Sequence, residues 1–150
     1  MERIIIKETD PTLRKISKPV KDFDERLHVL LDDMADTMYK ADGAGLSAVQ
    51  VGVLKRVFIT DVGNGITEFI NPILIKSSGK NKIKEEGCLS VPGKYGIVER
   101  PETVWVRYQD RNGNEIEEKL KGYAAKAFCH EYDHLDGILF IDKATKIKNY

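Results

Sequence analysis

Residues 122–137 read GYAAKAFCHEYDHLDG. The segment reads as a late helix stopped by Gly137, and it holds two of the chain's three histidines. His130 and His134 stand four residues apart, so on a helix they share one face and can bind a single ion together. Glu131 is turned by about 100° from His130. That puts it beside such an ion, where a general base acting on a water belongs. The plainer alternative is two surface histidines paired with Asp133 or Asp136.

The chain around this helix is patterned mainly for strands. RVFITDV (56–62) and ITEFINPILI (66–75) flank Gly63-Asn64-Gly65, a hairpin signal, while TVWVRYQD (103–110) turns at Asn112-Gly113 into EIEEKL (115–120). Pro72 and Pro92 predict edges or bends. Before the strands, Asp10-Pro11 predicts a helical turn, and Leu27, Leu30, Leu31, Met34 and Met38 recur at helical spacing between about Asp24 and Asp42. GAGLSAVQ (43–50) is too glycine-rich for a regular element, and ILFI (138–141) is a short apolar run. The expected fold is α+β: mostly antiparallel β-sheets around the late central helix, with one long N-terminal helix. At 150 residues the chain suits one domain, 1–150, with its own core.

Basic and acidic residues balance at 24 each, so no bulk charge points to nucleic acid or to an anionic membrane. No apolar run approaches the roughly 20 residues of a membrane span, and there is no signal-peptide pattern. Two cysteines make no disulfide framework and suit a reduced, intracellular setting.

Two histidines alone do not complete a metal site. Sixteen residues follow His134, none of them histidine, glutamate or cysteine, so a third ligand lies upstream. His28 falls within the first helix, four residues before Asp32, and suits a helix-face ion pair. Cys129 points about 100° away from His130 and suits packing. Cys88, in EEGCLSVPGKYG, remains. Gly87 and Pro92 mark an irregular or edge strand there, where a lone cysteine is otherwise an ordinary buried residue. One thiolate and two imidazoles would leave the fourth position of a tetrahedral ion to water, as in catalytic rather than structural sites.

With Cys88 included, GAGLSAVQ (43–50), EGCLS (86–90) and HEYDH (130–134) resemble, in order, the three signatures of the peptide deformylases. The likeness spans nearly the whole chain. It implies a hydrolase that removes the formyl group from the N-terminal formylmethionine of nascent polypeptides, releasing formate. It implies a Cys88-His130-His134 metal site, with Fe(2+) in the cell and Zn(2+), Ni(2+) or Co(2+) able to occupy it in purified protein. Carried over, Glu131 is the catalytic acid/base, and Gln50 with the backbone N–H of Leu89 holds the formyl oxygen. The implied setting is the cytoplasm of a bacterium or an organelle of bacterial origin. Two departures stand out. Ser47 replaces an alanine common in the first signature, a hydroxyl small enough to tolerate. Some members also continue into a long C-terminal helix that contacts the ribosome, whereas this sequence stops at Tyr150, so the resemblance does not carry that docking mode over.

For substrate, Gly43 and Gly45 suit a loop beside which a peptide backbone passes closely, and an extended peptide could pair there as an added strand. Ala127, one turn before His130, offers a small floor for a methionine side chain, Lys126 an aliphatic stem, and Ala44 and Leu46 further walls. Glu86, Arg100 and Asp133 either orient the ligands or pair as ions on the surface. Another metallopeptidase with the same helix motif would leave GAGLSAVQ and EGCLS without purpose. A structural zinc module would need a fourth ligand that Cys129 is badly aimed to supply.

Overall fold

Asp24 accepts a hydrogen bond from the backbone N–H of Leu27 and so caps α1 (Glu25–Lys40). The row Leu27, Leu30, Leu31, Met34 and Met38 is buried, as its spacing predicts. Upstream, Asp10 caps a 3-10 turn over Pro11–Arg14. The computed structural model describes residues 1–149; Tyr150, on which the docking expectation turned, lies outside them.

Eight strands follow among the described residues: β1 (Gly45–Ser47), β2 (Val57–Asp61), β3 (Ile66–Ser78), β4 (Glu85–Cys88), β5 (Val91–Ile97), β6 (Thr103–Gln109), β7 (Glu115–Lys121) and β8 (Ile147–Asn149). They form two antiparallel sheets, ordered β1-β2-β3-β6-β7 and β4-β5-β8. The β2–β3 hairpin turns through Gly63 and Gly65 at φ of 110° and 95°, where only glycine is unstrained. The sheets are joined by α2 (Tyr123–His134) and followed by α3 (Phe140–Lys143).

Several elements depart from expectation. GAGLSAVQ is regular after all: it holds β1 and a 3-10 turn over Ala48–Val51, because pairing with β2 supplies backbone partners that local sequence cannot reveal. Pro72 marks a bend, one of its two expected outcomes, and lies inside a central strand. The sheet absorbs it through a register shift against β6 between Ile70 and Ile73, with Asn71 at φ 50°. Pro92 likewise lies in the middle strand of the smaller sheet, near a shift at Gly87/Cys88. Half of ILFI opens α3, with Leu139 and Phe140 buried. Three exposed residues form β8 only because β5 pairs with them.

The core explains why α2 is central. Phe128 packs edge-on against Phe58 and Phe69, with ring centroids 5.2 and 5.3 Å apart, tying the helix to β2 and β3. From Ala125 to Glu131 every residue is buried, the pattern of a helix enclosed on all sides. Gly137, three residues past the end of α2, turns the chain with φ 74°, and a Cβ there would run into the backbone of Arg14.

Candidate metal centre and active site

Helix α2 presents His130 and His134, and β4 ends at Cys88. Their ligand atoms all lie within 4.8 Å of one another, with the Cys88 Sγ 3.4 Å from Nε2 of His134. Donors on a tetrahedral ion with bonds of about 2.0–2.3 Å sit roughly 3.5 Å apart, so the spacing fits one ion. The donor set, one thiolate and two imidazoles, suits a divalent transition metal. Glu86 Oε1 takes the Nδ1 side of His130 at 2.5 Å, which leaves Nε2 for the ion. His134 Nδ1 is buried without a hydrogen-bond partner among the described residues. Burial first, and then the neighbouring His130, hold His134 well below its usual pKa.

The two rejected ligand candidates lie elsewhere. The Cys129 thiol packs in the aromatic core and burial pushes its pKa up to about 11, so it stays protonated. His28 does not pair with Asp32 as expected. Its Nε2 meets the Arg111 carbonyl at 2.9 Å, while the Arg111 guanidinium takes both Asp32 and Glu68. Arg111 arrives from the turn after β6, which no reading of α1 alone could foresee.

Glu86, Arg100 and Asp133 do not form a surface ion pair. Glu86 and Arg100 are each 5% exposed and share two bonds, of 2.7 and 3.1 Å. Arg100 also donates to Asp133 at 2.7 Å. Burial alone would raise the Glu86 pKa, but His130 and Arg100 outweigh it and hold the carboxyl well below its ordinary range. Lys126 is buried too, and its Nζ donates to the Glu85 carbonyl at 2.7 Å. The strand that carries Cys88 is thereby tied to the helix that carries the histidines.

Glu131 stands off the ligand face, with Oε2 3.8 Å from Nε2 of His130. Burial raises its pKa above the usual carboxylate range, against the opposing pull of His130 and Ser47. Gln50 is anchored at both ends: its Oε1 accepts from the Ser47 N–H at 2.9 Å and its Nε2 donates to Ser90 Oγ at 3.0 Å. That leaves Nε2 3.7 Å from the Cys88 Sγ. Leu89 follows Cys88 directly, and its side chain fills the space beside Gly43, where a Cβ would come within 2.6 Å.

These groups open onto a cleft of about 720 Å³. Gly43, Ala44 and Gly45 form one wall, with Lys126 and Ala127 beside the histidine helix. Leu46 is not a wall. Side chains alternate along β1, so Leu46 turns into the α1 core while Gly45 and Ser47 face α2. Ile83, Tyr95 and Tyr123 line the cleft unforeseen. Ser90, which holds Gln50, also went unnoticed, although it closes the EGCLS motif.

A family model described as polypeptide deformylase matches residues 2–150. The chain belongs to the polypeptide deformylase family. It is 53% identical over 144 residues to a peptide deformylase of Alkaliphilus metalliredigens, covering 96% of this chain and 97% of that one. The crystal structure of peptide deformylase from Thermotoga maritima superposes with a TM-score of 0.94 at 44% identity, over 97% of this chain and 99% of that one. A peptide deformylase from Synechococcus elongatus, solved in complex with actinonin, gives 0.91 at 39% identity, over 95% and 78%. The chain is therefore a metal-dependent deformylase of nascent peptides, and the α+β reading stands.

Proposed function

We propose that Cys88, His130 and His134 hold one divalent metal, Fe(2+) in the cell, and that Glu131, Gln50 and Leu89 carry out hydrolysis of the formyl amide. The observation that carries this reading is the clustering of three ligand atoms within 4.8 Å with the Glu131 carboxylate alongside. The metal supplies a Lewis acid and brings the pKa of a water toward neutrality. Glu131 would take a proton from the attacking water as its oxygen bonds to the formyl carbon, and would hand that proton to the peptide nitrogen as the carbon–nitrogen bond breaks and formate leaves. Gln50 Nε2 and the Leu89 N–H donate to the formyl oxygen as negative charge develops on it.

The formylmethionyl peptide lies along Gly43–Gly45 as an added strand. Its methionine side chain rests on Ala127 and the Lys126 stem, with Ala44 beside it. The substrate is the nascent N-formylmethionyl chain, met in the cytoplasm of a bacterium or in an organelle of bacterial origin, through transient ribosome contact. The balanced charge supports no nucleic-acid specificity, and no helix among the described residues is long and apolar enough to cross a membrane. Residues 1–150 act as one domain. Such a donor set binds Zn(2+), Ni(2+) or Co(2+) more tightly than Fe(2+), so any of these ions can take the place of iron in purified protein.

Glu131→Ala tests the assignment. The variant keeps one equivalent of metal and loses formate release from formyl-Met-Ala by about 10²-fold or more. Loss of the metal, or retention of turnover, would overturn the role given to Glu131.

A further inference from the structure

Ser47 stands where the first deformylase signature commonly carries alanine, and its side chain is fully buried. Its single hydroxyl proton has two acceptors in reach, Glu131 Oε1 at 2.9 Å and the Glu131 carbonyl oxygen at 3.1 Å. The carboxylate oxygen is the nearer and, when ionised, the stronger acceptor. The strand brings this about: Gly45 and Ser47 lie two residues apart on the face of β1 that meets α2. A Cβ on Gly45 would stand 2.6 Å from Glu131 Oε2. One carboxyl oxygen is thus held by a hydrogen bond, and the other rests against a bare Cα, 3.8 Å from Nε2 of His130. The last torsion of a glutamate is broad and has little preference of its own. Nothing within the side chain would choose which oxygen faces the metal ligands.

We propose that Ser47 is a positioning residue of the deformylation reaction, its hydroxyl fixing Glu131 Oε1 so that Oε2 alone is presented to the reacting water. The proposal rests on the acid/base reading of Glu131. The backbone N–H of the same residue anchors Gln50, so Ser47 aligns the proton carrier through its side chain and the oxyanion donor through its main chain.

Ser47→Ala separates the two functions, because it deletes the hydroxyl, fits the space and keeps the N–H. The metal-loaded variant and wild type are compared for metal content and for kcat and KM on formyl-Met-Ala, with Glu131→Ala measured in parallel. The expected result is a fall in kcat of about ten-fold, the order set by one hydrogen bond to a charged acceptor, with KM and metal content unchanged. An unchanged kcat overturns the proposal. So does loss of metal or an accompanying rise in KM, since either would make the hydroxyl a support of the site as a whole. Wild-type turnover in Glu131→Ala would instead sink the acid/base reading on which the proposal rests.

Discussion

Replacing Glu86 with alanine would remove the anion at the centre of the buried charge network. In the intact protein Oε1 accepts from His130 Nδ1 at 2.5 Å and from Arg100 Nη2 at 2.7 Å, while Oε2 accepts from Arg100 Nε at 3.1 Å and lies 3.6 Å from Lys126 Nζ. Arg100 and Lys126 are each 5% exposed, so water cannot replace the lost partner. Breaking a buried pair from one side costs about 3–5 kcal/mol. Asp133 still holds one arm of the guanidinium, which favours the lower end. At about 2–4 °C per kcal/mol for a domain of this size, the melting midpoint should fall by roughly 10 °C. His130 also loses the group that orients its ring, so metal affinity should drop by about 10–100-fold. Melting is measured with metal in excess, which separates the network from the stability that metal binding adds; affinity is measured by competition with a chelator. Glu86→Gln should fare little better, because an amide keeps one acceptor but turns N–H donors toward another donor. A Glu86→Ala variant that melts within about 2 °C of wild type and keeps its metal affinity would refute this account.

Gln50→Leu removes an oxyanion donor at similar volume, so kcat should fall by roughly 10²-fold while the protein stays folded; an unchanged kcat would leave Gln50 with only its bonds to Ser47 and Ser90. Protein loaded with iron should lose formate release in air, because Fe(2+) reacts with oxygen at its open position and drives oxidation of the Cys88 thiolate beside it, whereas zinc has no redox chemistry and protein loaded with it should survive. Equal decay of the two forms would sink that argument, and full activity in Cys88→Ala would remove Cys88 from the site.

What the sequence determined by itself is whatever local periodicity can carry. A helix places residues four apart on one face, so His130 and His134 were legible as a pair and Glu131 as their neighbour. The α1 stripe and the Gly63-Asn64-Gly65 turn were legible for the same kind of reason. Cys88 could be reached as the third ligand only because so few candidates remained and the motifs around it resemble a known family. Only the tertiary structure decided what crosses between elements. It turned Glu86 and Arg100 into a buried brace for His130, because β4 packs beside α2. It took Asp32 from His28 by delivering Arg111 from a distant turn. It made Leu46 core and Ser47 a partner of Glu131, because pairing with β2 turned a glycine-rich segment into a strand with two faces. These outcomes depend on which backbones lie side by side, and long-range pairing leaves no local trace in residue order.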